Sequence, residues 1–301
     1  MLLLVDAANL YFRAYYAVPE SITAPDGRPV NAIRGYLDMT AALIDKRCPT
    51  RHIACLDLDW RPAFRVRAVP SYKAHRMAKD GGEDVPDTLE PQVPILLEVL
   101  AAVGLATAGA EGFEADDVIA TVAARETDRV EVVSGDRDLL AVATDTVTVL
   151  YTGKGIAKME AMGPAEVRAK YGVPAAHYAD FAMLRGDPSD GLPGVPGVGE
   201  KTAAALVARF GSIEDIMAAA EAKTDGFPSG AANKVLAARD YLTVAPDAVR
   251  GRIDAEIGDL DDALPAAPAD PERLVELSEE LGIESSLNRL LVAIRKALRS
   301  G

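Results

Sequence analysis

The stretch Gly112-Phe113-Glu114-Ala115-Asp116-Asp117-Val118-Ile119 sets three carboxylates within four residues at the head of an apolar, helix-forming run. On a helix Glu114 and Asp117 are neighbours three apart, while Val118, Ile119 and Val122 turn toward a core. Acids in a first helical turn also act as caps, so alone the stretch reads first as a plain helix start. The rest of the chain changes that reading. Asp6 follows the apolar run 2–5, Asp57 and Asp59 follow 53–56, and Asp136 and Asp138 follow 130–133 through Ser134-Gly135. Each suits a turn after a strand, but gathered on one rim such like charges repel unless cations balance them. Carboxylates without histidine or cysteine partners favour hard cations such as Mg²⁺ or Mn²⁺. Ligands drawn from several strand ends are how two-metal phosphodiester sites are built. Zinc is disfavoured, because His52, His75 and His177 lack metal spacing, and no Asp-x-Asp-x-Asp-Gly loop offers a calcium site.

The elements that must carry these acids follow from periodicity. Runs 2–5, 53–56, 130–133 and 147–150 read as strands, alternating with amphipathic helical patterns at 32–46, 93–103 and 114–126. This predicts an α/β fold: a mainly parallel sheet with helices on both faces and ligands at the carboxyl ends of the strands. From about Gly163 the pattern is helical only, at 164–171, 176–184, 200–210, 213–222, 231–242, 271–281 and 285–298. The loop 185–199 is dominated by glycine and proline and is committed to turns.

Of the 301 residues 49% are hydrophobic and 26% charged, ordinary for a soluble globular chain. Five apolar residues before Asp6 are too few for a signal sequence or a membrane span. Cys48 and Cys55 have no metal or redox spacing, which places the chain in a reducing cytoplasm. A net charge of -14 argues against a nucleic-acid partner, but residues 61–79 carry Arg61, Arg65, Arg67, Lys73, Arg76 and Lys79 with no acid. Such a segment is either a solvated loop or a local basic patch. Tyr72-Lys73 with Arg76 suits stacking on a base while neutralising a phosphate. Arg13, within Tyr11-Phe12-Arg13-Ala14-Tyr15-Tyr16, is either surface charge beside core aromatics or a second contact. Gly194–Thr202 fails as a P-loop, since Glu200 stands where the lysine is required. What remains is a glycine turn opening a helix, where free N–H groups and Lys201 can hold a phosphate without reading sequence.

Taken together, the motifs resemble the flap endonuclease/5′-nuclease family, which includes the 5′-nuclease domain of bacterial DNA polymerase I. Five blocks match in order across residues 2 to 210. They are Leu-Val-Asp6 with Arg13; Phe64-Arg65 with Tyr72-Lys73-Ala-His-Arg76; Gly112-Phe-Glu114-Ala-Asp116-Asp117; Ser-Gly-Asp136-Arg-Asp138-Leu-Leu; and Gly186-Asp187-Pro-Ser-Asp190 running into Pro-Gly194-Val-Pro-Gly197-Val-Gly199-Glu-Lys201-Thr-Ala. The resemblance implies a PIN-like nuclease core over 1–163 with a basic arch or clamp near 60–85, a helix–three-turn–helix module for duplex DNA over 164–245, and C-terminal helices over 246–301. It implies a metal-dependent 5′ flap endonuclease and 5′-3′ exonuclease that leaves a 3′-hydroxyl and a 5′-phosphate. Two or more divalent ions, Mg²⁺ or Mn²⁺, are implied. Asp6, Asp57, Glu114 and Asp116 would serve the first, and Asp117, Asp136, Asp138, Asp187 and Asp190 the second or both. Lys73 and Arg76 would engage the scissile phosphate, and Tyr72 would stack on a nucleotide. Arg13, Arg65, Gly194, Gly197, Gly199 and Lys201 would touch DNA, with K⁺ held in the glycine turn. The expected partner is DNA with 5′ flaps or 5′ single-stranded ends, bound by a stand-alone monomer with no membrane association.

Two departures stand out. The family's second-strand Asp lies six residues before the Phe-Arg pair, whereas Asp57 lies seven and Asp59 five before Phe64; Asp57, nearer the strand end, is preferred. Gly191 stands where the family usually has Asn. Two further readings remain: a structure-selective DNA-binding protein with little or no catalysis, and a PIN-like ribonuclease, which should lack the glycine- and proline-rich helical module.

Overall fold

The computed structural model describes residues 1–79 and 81–300; Asp80, inside the expected basic arch, and Gly301 lie outside the described residues. The continuous apolar runs form strands buried on both faces, as a parallel sheet under two helical layers requires. In chain order the first half is β1 (Leu2–Asp6), α1 (Ala7–Ala17), α2 (Asn31–Arg47), β2 (Arg51–Cys55), α3 (Ala63–Ala68), α4 (Gln92–Val103), β3 (Ala106–Ala108), α5 (Ala115–Arg125), β4 (Val130–Ser134), β5 (Val147–Tyr151) and β6 (Glu160–Met162). The sheet order is β3-β2-β1-β4-β5-β6, parallel except for antiparallel β6 at one edge. The three-residue strands β3 and β6 are additions that periodicity did not reveal, being too short to show a pattern.

Strand pleating sorts the apolar residues of β1 between two cores. Leu2 and Leu4 point into the cluster built with Val118, Ile119 and Phe181, while Leu3 and Val5 face Ile33, Leu37 and Leu290.

The helical half follows as α6 (Pro164–Tyr171), α7 (Tyr178–Arg185), α8 (Glu200–Phe210), α9 (Ile213–Glu221), α10 (Ala231–Ala237), α11 (Arg239–Val249), α12 (Pro271–Leu281) and α13 (Glu284–Ser300). The expected helix 231–242 is two: the chain breaks at Ala238, and α11 runs on to Val249 despite Pro246. Buried Asp180 knots this half together, accepting from Arg250 Nη2 (2.8 Å), Ile213 N (3.2 Å) and pairing with His177 Nδ1 (2.9 Å). The boundary expected at 245 falls inside α11, and the last two helices lie on the sheet-bearing half, α13 along α2 and α12 along α4. On the way, the segment 259–264 pairs with the start of β2, where β3 has run out: His52 N donates to Asp262 O (2.8 Å) and Leu264 N to Thr50 O (3.0 Å). Among the described residues no helix is long and apolar enough to cross a membrane.

His52 on β2 is 1% exposed, its ring nitrogens meet no partner residue, and burial lowers its pKa from 6.5 to about 4. A lowered histidine contributes stability that is complete above pH 6.5 and is lost as pH falls toward 4, where the unfolded chain gains a proton that the folded one refuses. Between pH 7 and pH 4 this group alone should remove about 3 kcal/mol. Urea unfolding of wild type and His52→Leu at both pH values checks it: the variant should lose less stability on acidification, and equal losses would refute the assignment.

Candidate active site

The carboxylates meet at the carboxyl edge of the sheet, around the point between β1 and β4 where the strand order reverses. In open α/β sheets a ligand crevice forms at that point. Asp6 ends β1 and caps α1, its Oδ1 accepting from Asn9 N (3.0 Å) and its Oδ2 from Ser134 Oγ (2.6 Å). Asp57 opens to the cleft just beyond β2, and its Oδ1 accepts from Ala115 N (2.6 Å), which ties the strand end to the head of α5. Asp59 instead closes its own turn, accepting from Arg61 N (3.0 Å). Asp57 is therefore the one that faces the other acids. Asp136 Oδ1 accepts from Asp138 N (2.8 Å), while Asp138 Oδ1 is buried with no partner. Asp187 and Asp190 arrive from the helical half on the turn Pro188–Asp190. Asp187 Oδ2 is held by Arg185 Nη2 (3.0 Å) and approached by Arg137 (3.7 Å).

Crowding shows in the electrostatics. Burial, with Asp57 and Asp136 beside it, pushes Asp6 up to about 7. Asp116 is raised by burial, then by Asp136, Asp6 and Glu114; Asp138 by burial, then by Asp136, Asp190 and Asp187. Burial also lifts Asp57, against the pull of Lys73, and lifts Asp190 despite Lys73 and Arg76.

Protein cations already share this charge. Lys73 Nζ donates to Glu114 Oε1 (2.5 Å), and Tyr72 Oη donates to Glu114 Oε2 (2.8 Å). Burial opposes the Lys73 charge, but Glu114 and Asp190 hold it firmly protonated. Glu114 is raised to about 7 by burial, with Lys73 and Arg65 pulling the other way. Arg76 Nη2 donates to Asp190 Oδ1 (3.0 Å) and to Ser189 O (2.7 Å).

Three of the expected residues make buried contacts of their own. Asp117 is 0% exposed and both oxygens are taken: Oδ1 accepts from Arg65 Nη2 (2.5 Å) and Arg252 N (2.8 Å), Oδ2 from Glu114 N (3.3 Å). It braces the helix start. Arg65, 3% exposed, also donates to Ala248 O (2.5 Å) and lies 3.3 Å from Glu114, so it links α3, α5 and α11 and does not face DNA. Tyr72, likewise 3% exposed, offers no face to a nucleotide, its ring being flanked by Arg65 and Lys73. Among the described residues no three of these acids stand close enough together to hold one ion without side-chain movement, and Lys73, Arg65 and Arg76 pair with Glu114, Asp117 and Asp190.

Of the remaining candidates, Arg13 reaches the acid edge: a Cβ at Gly135, between Ser134 and Asp136, would stand 3.0 Å from Arg13 Nη2. The glycine turn lies apart. Gly194 (φ +67°) lies so close to Gly186 that a Cβ would stand 2.5 Å from its nitrogen, Gly197 O accepts from Lys234 Nζ (2.8 Å), and Gly199 leads into α8. Exposed Lys201 lines a recess there with Tyr171 and Thr202.

Residues 1–172 match the family model for the 5′-3′ exonuclease N-terminal resolvase-like domain, and 173–272 that for the 5′-3′ exonuclease C-terminal SAM fold. The chain belongs to the 5′-3′ exonuclease family and is a 5′ nuclease. A 5′-3′ exonuclease of Mycobacterium tuberculosis H37Rv is 53% identical, covering 97% of each chain. DNA polymerase I of the same organism is 38% identical over 98% of this chain and 32% of its own length. Among solved structures, the bacteriophage T5 D15 protein co-crystallised with metal ions superposes with a TM-score of 0.64 at 17% identity (99% and 98% of the two chains). The Rad2 catalytic core in complex with DNA substrate gives 0.60 at 15% (98% and 92%). These two show the shared fold.

Two further residues lie within reach of the acids' charge, Glu83 and Tyr11. Glu83 lies on the far side of the basic segment, where burial and then Asp57 raise its carboxyl. Burial and the acids Asp57, Glu83 and Asp6 likewise raise the Tyr11 hydroxyl. Tyr11 read only as a core aromatic, and an isolated Glu83 has no motif spacing.

Arg65→Met strands Asp117 and Glu114 without their buried guanidinium, so chemical denaturation should show a loss of about 3–5 kcal/mol. An unchanged midpoint would return Arg65 to the exposed, DNA-facing group.

Proposed function

We propose that this 5′ nuclease is a metal-dependent flap endonuclease and 5′-3′ exonuclease that cuts DNA where a 5′ single strand leaves the duplex. One observation supports this above others: desolvated carboxylates crowd one cleft, with Asp138 Oδ1 buried and unpartnered. Such an arrangement fits hard divalent cations, the class that all-oxygen donor sets select. Asp6, Asp57, Glu114 and Asp116 would hold one Mg²⁺ or Mn²⁺, and Asp136, Asp138, Asp187 and Asp190 a second. When bound, the ions supply Lewis-acid activation of water and neutralisation of the leaving oxygen, giving a 3′-hydroxyl and a 5′-phosphate.

The chain's own residues do the rest. Lys73 and Arg76 offset charge developing on the scissile phosphate, and Lys73 releases Glu114 as they turn to it. Arg13 adds a cation at the β1–β4 edge. Asp117 and Arg65 hold the head of α5 so that Glu114 and Asp116 stay aimed. Residues 164–245, with Gly194, Gly197, Gly199 and Lys201, hold the downstream duplex by its phosphates, in one protomer; a K⁺ in the glycine turn would use carbonyls other than the one that Lys234 takes.

Cleavage of a 5′-labelled DNA flap, a plain single strand and a blunt duplex, each with Mg²⁺, Mn²⁺ or EDTA, tests the reading. The flap should give a short product at the junction with either metal and none with EDTA, and an RNA flap should be cut poorly. Tight flap binding without cleavage in any metal would favour the non-catalytic binding reading. Asp136→Asn combined with Asp138→Asn should abolish cleavage, and persistence of full activity would sink the carboxylate assignment. Flap affinity should fall steeply with salt, as phosphate contacts require.

A further inference from the structure

Neither Ser71 nor Gly191 has a part in the scheme above, yet a Cβ at Gly191 would meet a closer atom than at any other described glycine. Gly191 ends the turn that carries Asp187 and Asp190, in the left-handed conformation at φ +69°. A Cβ at this position would stand 2.1 Å from the Ser71 carbonyl oxygen, 3.0 Å from its carbon and 3.4 Å from Lys73 N. Only a hydrogen fits while the basic segment lies there, so the seat is particular to this chain, whose Gly191 replaces the Asn usual in the family.

The joint is fastened from both sides. Ser71 Oγ donates to Gly191 O (2.7 Å), Lys73 N donates to Asp190 O (2.9 Å), and Arg76 Nη2 donates to Ser189 O (2.7 Å). Successive residues of the turn thus hold the stretch 71–76. Lys73 itself sits at φ +47°, a backbone state costly for a lysine that persists where surroundings impose it.

We propose that Ser71 and Gly191 are positioning residues: the bare Gly191 turn is a socket that seats the Ser71 backbone and so sets Lys73 and Arg76 over the carboxylates before DNA arrives. The inference rests on the proposed role of Lys73 and Arg76 at the scissile phosphate. Its physical basis is that cations meant for a transition state act only when held near their working geometry. Because the turn also carries Asp187 and Asp190, one joint fixes the spacing between those acids and the two cations.

Two variants test it. Ser71→Ala deletes one hydrogen bond without a clash. Gly191→Asn retains a residue that tolerates left-handed backbone but drives a Cβ into the Ser71 carbonyl. Trypsin digestion without DNA reads the order of the segment through cleavage after Lys73 and Arg76, and steady-state flap cleavage reads kcat and KM. Both variants should be nicked faster at these sites. For Gly191→Asn kcat should fall roughly tenfold to a hundredfold with KM within about twofold, and Ser71→Ala should show a smaller fall of the same kind. Unchanged nicking and kcat in both would overturn the socket, as would a rise in KM alone. Faster nicking at wild-type kcat would overturn the positioning role. If Gly191→Asn fails to fold, Ser71→Ala decides by the same readouts. Lys73→Met serves as control: should it keep wild-type kcat, the role of Lys73 in the proposed function falls, while nicking still decides the socket.

Discussion

Repulsion among carboxylates confined to one poorly hydrated edge is the constraint on which the rest of this molecule depends. Such charges raise one another's pKa and resist being brought together unless opposite charge is close. Here the chain answers with its own cations: Lys73 on Glu114, Arg65 on Asp117, Arg76 on Asp190 and Arg185 on Asp187. Each pair is also a tether. Arg65 ties α3 to α5 and to the α11 carbonyl of Ala248, and Arg76 ties the basic segment to the helical half. The groups that neutralise the cleft are thus the groups that assemble it, and a ligand entering the cleft competes with structural bonds.

The parallel sheet makes the edge possible. Strands buried on both faces leave only their ends free for polar groups, so acids placed directly after β1, β2 and β4 gather at one crevice without disturbing either core. Two further acids come from the turn after α7, whose position depends on the Asp180 knot with Arg250 and Ile213. Neither half of the chain carries the full set.

The fold was legible because its strands are unbroken apolar runs and its helices strongly periodic. The misses have local causes. β3 and β6 are too short to register, and the break at Ala238 falls among alanines with no glycine or proline to announce it. At the site, residue types and spacing located the acids but not which way each side chain turns. Asp116 and Asp117 are adjacent on a helix and point about 100° apart, so one faces the cleft while the other is sealed beneath it. Tyr72 and Lys73 look like one surface pair, yet the left-handed backbone at Lys73 leaves the tyrosine buried and its ammonium on Glu114. The Ser71–Gly191 joint is invisible in sequence, since 120 positions separate the two residues and the departure at Gly191 does not say what packs against it.

The packing of α13 on α2 bears on how the enzyme is made. Leu290, Ala293, Ile294 and Ala297 complete the core over which Leu3 and Val5 of the first strand lie. The face of α2 that α13 covers stays bare until position 297 has cleared the ribosome. A nascent chain therefore holds every acid of the cleft well before it can bury that face of α2. Synthesis stopped short of that helix should yield a protein prone to chaperone capture and proteolysis.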